Sequence, residues 1–181
     1  KENPRYAYIA PLYRMSKQIA WDMLRKYTAV IPGMTYNESE LRADFPHGAR
    51  ITLFGADNEH ALRGLYFDGI VCDEYAQMNP RIWAETLRPA LVDRQGWAIF
   101  AGTPLGSNHF KDLYDTALQD HQWYASTFRA SETGIIPQEE LSAAKLSMGE
   151  DIYNQEFECS WVASIRGAYF SEEVKRLREE H

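Results

Sequence analysis

No apolar run in this chain approaches the about 20 residues that cross a bilayer. Its opening, Lys1-Glu2-Asn3-Pro4, has none of the character of a signal peptide. Cysteine is scarce. The only two, Cys72 and Cys159, are far apart, which excludes a disulfide framework and reads as free thiols in a reducing compartment. His47, His60, His109, His121 and His181 show no metal-ligand spacing, and nothing resembles a Ser-His-Asp arrangement. Positive charge is also short: 19 Lys and Arg against 26 Asp and Glu leave a net charge of −7. That argues against a broad nucleic-acid-binding surface, though not against a local patch or a DNA contact elsewhere in a longer parent. The most consequential absence is a phosphate loop, because the pattern GxxxxGK[ST] occurs nowhere.

What is present makes that last absence a puzzle. Gly69-Ile70-Val71-Cys72 reads as a short buried strand ending in two adjacent carboxylates, Asp73 and Glu74. Burying two like charges side by side is costly, so few structural roles call for the pair. A metal–nucleotide site does: one carboxylate can hold Mg²⁺ and its waters, and the other can orient or deprotonate an attacking water. The competing reading is a helix N-cap or a solvated turn.

The chain's 181 residues, 45% of them apolar, suit one domain with a sizeable core. Tyr6–Ala10, Arg50–Phe54, Gly69–Cys72, Trp97–Ala101 and Trp123–Phe128 read as strands. Between them, Ser16–Tyr27 has Ile19, Ala20, Met23, Leu24 and Tyr27 at helical spacing. A helix opened by Pro80 runs to Val92 with Ile82, Trp83, Leu87 and Leu91 on one face. Helices are also expected over Asn108–Leu118 and from Pro137 through Met148. Strands alternating with such helices imply an α/β fold, a mostly parallel sheet flanked by helices, whose ligands bind at the carboxyl ends of the strands. Asp73-Glu74 and the turn Gly102-Thr103-Pro104 both fall at such ends. A hydroxyl at a strand tip, as in Thr103, can report on a γ-phosphate through a water; a tight turn capped by Ser107 or Asn108 is the alternative. Arg63, ten residues before Asp73 and followed by Gly64, could stabilise transferring phosphate charge, against an ordinary surface arginine.

In this order the pieces resemble the large subunit of tailed-bacteriophage (or prophage) terminases. The matching segments are Tyr8-Ile9-Ala10-Pro11 with a following helix containing Trp21, Asn58 with Leu62-Arg63-Gly64, and Ile70 through Ala76. They continue with Ala101 through Gly106, Asn108-His109-Phe110 and Leu113-Tyr114. Glu156 through Trp161 and Gly167 through Phe170 look like the passage from the ATPase into the nuclease part. The resemblance implies a P-loop NTPase core of the ASCE/RecA-like kind that lacks its P-loop strand. Residues 1–150 would be an incomplete ATPase domain and 151–181 a linker toward a nuclease domain. It implies ATP and Mg²⁺ as cofactors, with Asp73 the Walker B aspartate on Mg²⁺ and Glu74 the catalytic glutamate. Gly102 would lie at the nucleotide, Thr103 in the coupling motif, and Arg63 would be a finger offered to an adjacent subunit.

The implied parent hydrolyses ATP as a self-associated ring, translocates double-stranded DNA into a procapsid and cleaves it. Its partners would be DNA, a small terminase subunit and the portal protein, in the cytoplasm of a bacterial host and away from any membrane. The P-loop lysine and the nuclease's acidic ligands are expected outside residues 1–181, so the isolated chain is expected to be inactive; Glu172 and Glu173 are not assigned to that nuclease cluster. Without its internal P-loop strand the sheet should expose an unpaired apolar edge. The alternatives are a superfamily 2-type helicase or translocase, disfavoured by Ala76 where such helicases carry His or Asp, and a non-catalytic interaction module with an NTPase-like fold.

Overall fold

The computed structural model describes residues 1–162. The chain forms two compact units, Lys1–Gly102 and Thr103–His181. The first holds a six-stranded sheet built from β1 (Arg5–Ala10), β2 (Thr35–Asn37), β3 (Arg42–Asp44), β4 (Arg50–Gly55), β5 (Gly69–Cys72) and β6 (Trp97–Phe100), in the order β2-β3-β4-β1-β5-β6. The β4-β1-β5-β6 pairs are parallel, whereas β2-β3 and β3-β4 are antiparallel. The expected mostly parallel α/β sheet is therefore observed. β2 and β3 were not anticipated: three residues each are too short for a legible pattern, and they exist through pairing, β3 on β4 and β2 on β3.

Register divides the side chains between two faces. Ile9 lies beside Phe54 and Cys72, and Cys72 beside Phe100. This face is covered by the segment that begins with a π-helical turn, Trp83–Leu87, and continues as α4 (Arg88–Val92). Ile82, Leu87 and Leu91 are buried there, and the Trp83 ring stands edge-on to Phe100 at 4.9 Å. The helical stripe read from the sequence is thus the buried one, but Pro89 sits inside it. Proline has no N–H for the carbonyl of Glu85, and its ring would crowd that carbonyl in an ordinary α-turn; the widened turn before it accommodates both.

The opposite face carries Tyr6, Tyr8, Leu53, Val71, Trp97 and Ile99. Over β1 and β4 it is covered by α1 (Tyr13–Ser16), a π-turn Lys17–Trp21 and α2 (Asp22–Thr28). Trp21, Leu41 and Leu53 form its core, with Tyr8, Ala20, Leu24, Tyr36 and Ile51 packed on them. Trp21 Nε1 donates to Glu38 at 2.6 Å, and Arg25 meets the same carboxylate at 2.7 Å. Over β5 and β6 this face is bare: Trp97 is 48% and Ile99 51% exposed. Ile19, Met23 and Tyr27, at i, i+4 and i+8 on the helix, are also exposed rather than buried with Ala20 and Leu24. β6 ends the sheet with an apolar, unpaired edge among the described residues. The isolated chain is therefore expected to self-associate, and Ile99→Lys to return it toward monomer in size-exclusion chromatography with light scattering; a wild-type monomer across the micromolar range would overturn this.

The other ends of β1, β5 and β6 are tied by Asp68, which is 3% exposed. Its carboxylate accepts from the Arg5 N–H at 2.9 Å and from two Arg94 nitrogens at 3.2 Å each, with Lys1 at 3.3 Å. Burial opposes its ionisation, but the Arg5 amide, Arg94 and Lys1 outweigh that and hold its pKa below the ordinary value. Stability from this group is present above the unfolded aspartate value of about 3.9 and is lost as pH falls through the lower folded value. Asp68→Asn should cost about 1.5–3 kcal/mol at neutral pH. The gap between the two melting temperatures should close as pH drops below the folded value, and a constant gap would show that charge is not the cause.

The second unit contains α5 (His109–Gln119), α6 (Ala130–Thr133), α7 (Gln138–Met148) and α8 (Glu150–Glu156). α5 and α7 match the expected helices. α8, separated from α7 by Gly149 at φ +83°, was not foreseen. The strand expected at Trp123–Phe128 is absent: the segment has no regular secondary structure and pairs with no strand. Its alternation is real, with 123, 125 and 127 half-buried, but side-chain contacts satisfy it. The Thr127 hydroxyl lies 3.0 Å from that of Tyr114. Period-2 patterning reports which side chains face inward, not whether the backbone finds a ladder partner. Trp161 packs on Phe110 and Tyr114 at 5.4 and 5.6 Å. Residues 163–181, including Gly167 through Phe170 and Glu172-Glu173, lie outside the described residues.

Candidate nucleotide-binding site

The parallel ladder runs one residue past β5, where the Asp73 N–H donates to the Ile9 carbonyl at 2.8 Å. Side chains alternate, so Asp73 emerges on the same face as Val71 and Tyr8, the face left bare over β5 and β6. The Tyr8 hydroxyl donates to the Asp73 carboxylate. The other Asp73 oxygen accepts the Glu74 N–H at 3.1 Å. Burial, then the phenol's own hydrogen bond to Asp73, then the carboxylates of Asp73 and Glu74 push the Tyr8 phenol well above its ordinary pKa.

Glu74 turns the chain. It adopts φ +52°, ψ +42°, a left-handed conformation uncommon for a residue with a side chain. Such a conformation costs of order 1–3 kcal/mol and persists where surrounding structure over-determines it. A 3₁₀ turn, Tyr75–Gln77, follows, and Gln77 Nε2 donates to the Glu74 carboxylate at 3.2 Å. β6 supplies the support. The Ala101 N–H donates to the Cys72 carbonyl at 2.9 Å, and the Tyr75 N–H to the Ala101 carbonyl at 3.0 Å. Phe100 stands edge-on to Tyr75 at 4.7 Å. Gly102 follows at φ +153°, and a Cβ there would lie 3.1 Å from the Glu74 Cα and 3.2 Å from the Tyr75 nitrogen. The glycine is thus required by close approach to the Glu74 backbone, which adds to the turn role read from the sequence. Cys72, two residues before Glu74, is no nucleophile, since burial pushes its thiol up to about 12.

The remaining sequence candidates are placed as follows. Arg63 follows α3 (Glu59–Leu62), whose first turn is capped by Asn58. Its side chain is over half exposed, and its guanidinium lies 4.0 Å from Glu85. Thr103 is half-buried and opens the second unit directly after Gly102. Asn108 caps α5, accepting from Phe110 N–H at 3.0 Å, so part of the polarity of that loop is capping. The sequence placed Tyr8 in a strand and in the Tyr8-Ile9-Ala10-Pro11 segment, but gave no sign of its role beside Asp73. A groove of about 410 Å³ beside Pro11, Asp57, Glu59 and Asn79 contains neither Asp73 nor Glu74. Its carboxylates are already engaged, Asp57 by the Tyr13 N–H at 3.1 Å and Glu59 by Asn79 at 2.7 Å. Among the described residues no cluster of three or more His, Cys, Asp or Glu could hold a metal alone.

A parallel sheet with an acidic pair at a strand end is common to several nucleotide-binding families, and sequence comparison decides between them. Residues 22–174 match the family of the terminase large subunit, T4likevirus-type, N-terminal. The chain belongs to this terminase large-subunit family. It is 23% identical over 167 residues to the terminase large subunit of Escherichia phage T5, covering 88% of this chain and 37% of that protein. The fold agrees. The large-terminase ATPase domain of Thermus phage P74-26 superposes with a TM-score of 0.67 at 21% identity, covering 89% of this chain and 78% of that one. The large terminase of another thermophilic bacteriophage, solved with ADP and with ATP-γ-S, gives 0.72 with either nucleotide. The ADP complex is 13% identical and covers 89% of this chain and 41% of that one. The terminase reading of the sequence, and its α/β ATPase-type fold, are therefore borne out, and the helicase and interaction-module alternatives are not favoured. No helix among the described residues is long and apolar enough to cross a membrane.

Proposed function

We propose that residues 1–150 of this terminase chain are the incomplete ATPase domain of a phage or prophage DNA-packaging motor, and that 151–181 lead toward a nuclease domain. The observation that carries this reading is the corner at the end of β5. Asp73 is presented on a bare sheet face, and Glu74 is held in a left-handed turn by the end of β6. The Asp73 carboxylate suits Mg²⁺, which takes one or two hard carboxylate oxygens when phosphates and water supply the rest. Bound there, Mg²⁺ would neutralise charge on the transferring phosphoryl group. Asp73 would hold that cation on its water shell. Glu74 would orient the attacking water and take its proton, as a general base must. Gly102, packed against the Glu74 backbone, would lie at the nucleotide, and the Thr103 hydroxyl would sense the γ-phosphate and couple hydrolysis to movement. Arg63, exposed and turned to Glu85 rather than to its own Asp73, is better placed to serve a neighbouring subunit of a ring than its own site.

The P-loop lysine is assigned to a segment of the parent outside these residues. The bare face supports this: exposed Trp97 and Ile99, with Ile19, Met23 and Tyr27 on the adjoining helix, fit a strand added at β6 and an amphipathic helix above it. In the assembled motor the substrate is ATP, the cargo double-stranded DNA, and the partners a small terminase subunit, the portal and further copies of this subunit. Phosphate release separates the readings. The full-length large subunit should hydrolyse ATP and residues 1–181 alone should not; equal turnover by the isolated chain, or no GK[ST] loop upstream in the parent gene, would overturn the assignment.

A further inference from the structure

Tyr8 stands in the Tyr8-Ile9-Ala10-Pro11 segment with no role of its own in the site as described so far, yet its hydroxyl donates to the Asp73 carboxylate. We propose that Tyr8 is a positioning residue that fixes the Asp73 carboxylate for a nucleotide-borne divalent cation. This rests on the reading of Asp73 as the metal-side ligand. In the β1–β5 register Tyr8 is opposite Val71, so Asp73 lies on the same face, one step along the diagonal, which a phenol ring is long enough to bridge. The ring has little freedom, because it packs on the cluster of Trp21, Leu41 and Leu53 beneath α1 and α2. Its hydroxyl is therefore a nearly fixed point from which to donate to one Asp73 oxygen. The other oxygen takes the Glu74 N–H at 3.1 Å. Two donors from separate elements set the rotation of the carboxylate, and each oxygen keeps a lone pair for a hydrated cation. A mere need to satisfy the phenol does not require this bond, because Tyr8 is half-buried and not sealed from solvent. Outer-shell donors of this kind commonly set metal affinity through the ligand they orient.

The test uses the full-length large subunit and a fluorescent non-hydrolysable ATP analogue, bound at increasing Mg²⁺. Tyr8→Phe keeps the ring and removes the donor. It should raise the half-saturating Mg²⁺ concentration about tenfold or more, the loss typical of outer-shell partners. The analogue's affinity at saturating Mg²⁺ and the melting temperature should stay at wild-type values. In an Asp73→Asn background, which itself displaces the midpoint, Tyr8→Phe should add no further shift. If Asp73→Asn moves the midpoint and Tyr8→Phe does not, or if the two shifts simply add, Tyr8 does not act through Asp73 and the proposal falls. If Asp73→Asn leaves the Mg²⁺ dependence untouched, the metal reading of Asp73 fails first, and this proposal with it.

Discussion

Glu74→Gln in the full-length subunit is expected to abolish ATP hydrolysis while sparing ATP binding. The amide keeps the shape of the side chain and its hydrogen-bonding reach but cannot accept a proton from water. Losing a positioned general base typically costs about 10²–10⁴-fold in kcat. Binding should change little, because the groups assigned to the cation and the nucleotide are elsewhere, on Asp73, at Gly102 and in the phosphate loop of the parent. The backbone gives an independent handle on the same residue. Glu74 occupies a conformation that glycine adopts freely. Glu74→Gly should therefore be as inactive as Glu74→Gln, yet show no fall in melting temperature, since relief of left-handed strain offsets glycine's greater unfolded-state freedom. A side chain retained at a conformational cost is the signature of function rather than of stability. Phosphate-release kinetics and a fluorescent-nucleotide titration on the same samples check both parts, and wild-type turnover in Glu74→Gln would remove Glu74 from the mechanism.

The sequence made the four parallel strands legible because each is a short, largely apolar run, the pattern of strands in a parallel sheet. It made Asp73-Glu74 legible because the pair follows such a run directly. What it could not show depends on neighbours distant in the chain. β2 and β3 are too short to show a pattern of their own; β3 is templated by β4, and β2 by β3. The stretch at 123–128 has the right pattern but no partner strand. The π-turn before Pro89 answers to a proline that an apolar stripe alone does not reveal. Tyr8 and Gly102 are the instructive cases. Tyr8 looked like one more strand aromatic and acquires its role only from the register that sets it diagonally to Asp73. Gly102 looked like a turn glycine, and the structure adds the approach of the Glu74 backbone as a second reason for it.

That second reason makes Gly102→Ala the other substitution of large expected effect. A methyl group at 102 would sit 3.1 Å from the Glu74 Cα, 3.2 Å from the Tyr75 nitrogen and 3.4 Å from the Glu74 carbonyl carbon. All three are backbone atoms, so no side chain can swing aside. Gly102 is also at φ +153°, where an L-residue is strained whatever the space. Relief requires β6 to retreat from the end of β5, which stretches the bond from the Tyr75 N–H to the Ala101 carbonyl, 3.0 Å in the native corner. That bond is part of what holds Glu74 in its left-handed turn. The strain should lower stability by about 1–3 kcal/mol. The displacement of Glu74 should lower kcat about 10²-fold, as misplacement of a catalytic group by about 1 Å does. ATP affinity should fall much less than kcat, because the damage is to the alignment of the water-activating group. Thr103→Val separates this from the neighbouring hydroxyl: it leaves the backbone at 102 unchanged and should keep the wild-type melting temperature, whatever it does to turnover. If Gly102→Ala retains both the melting temperature and kcat of the wild type, the corner is held by other contacts and Gly102 does not set the Glu74 geometry.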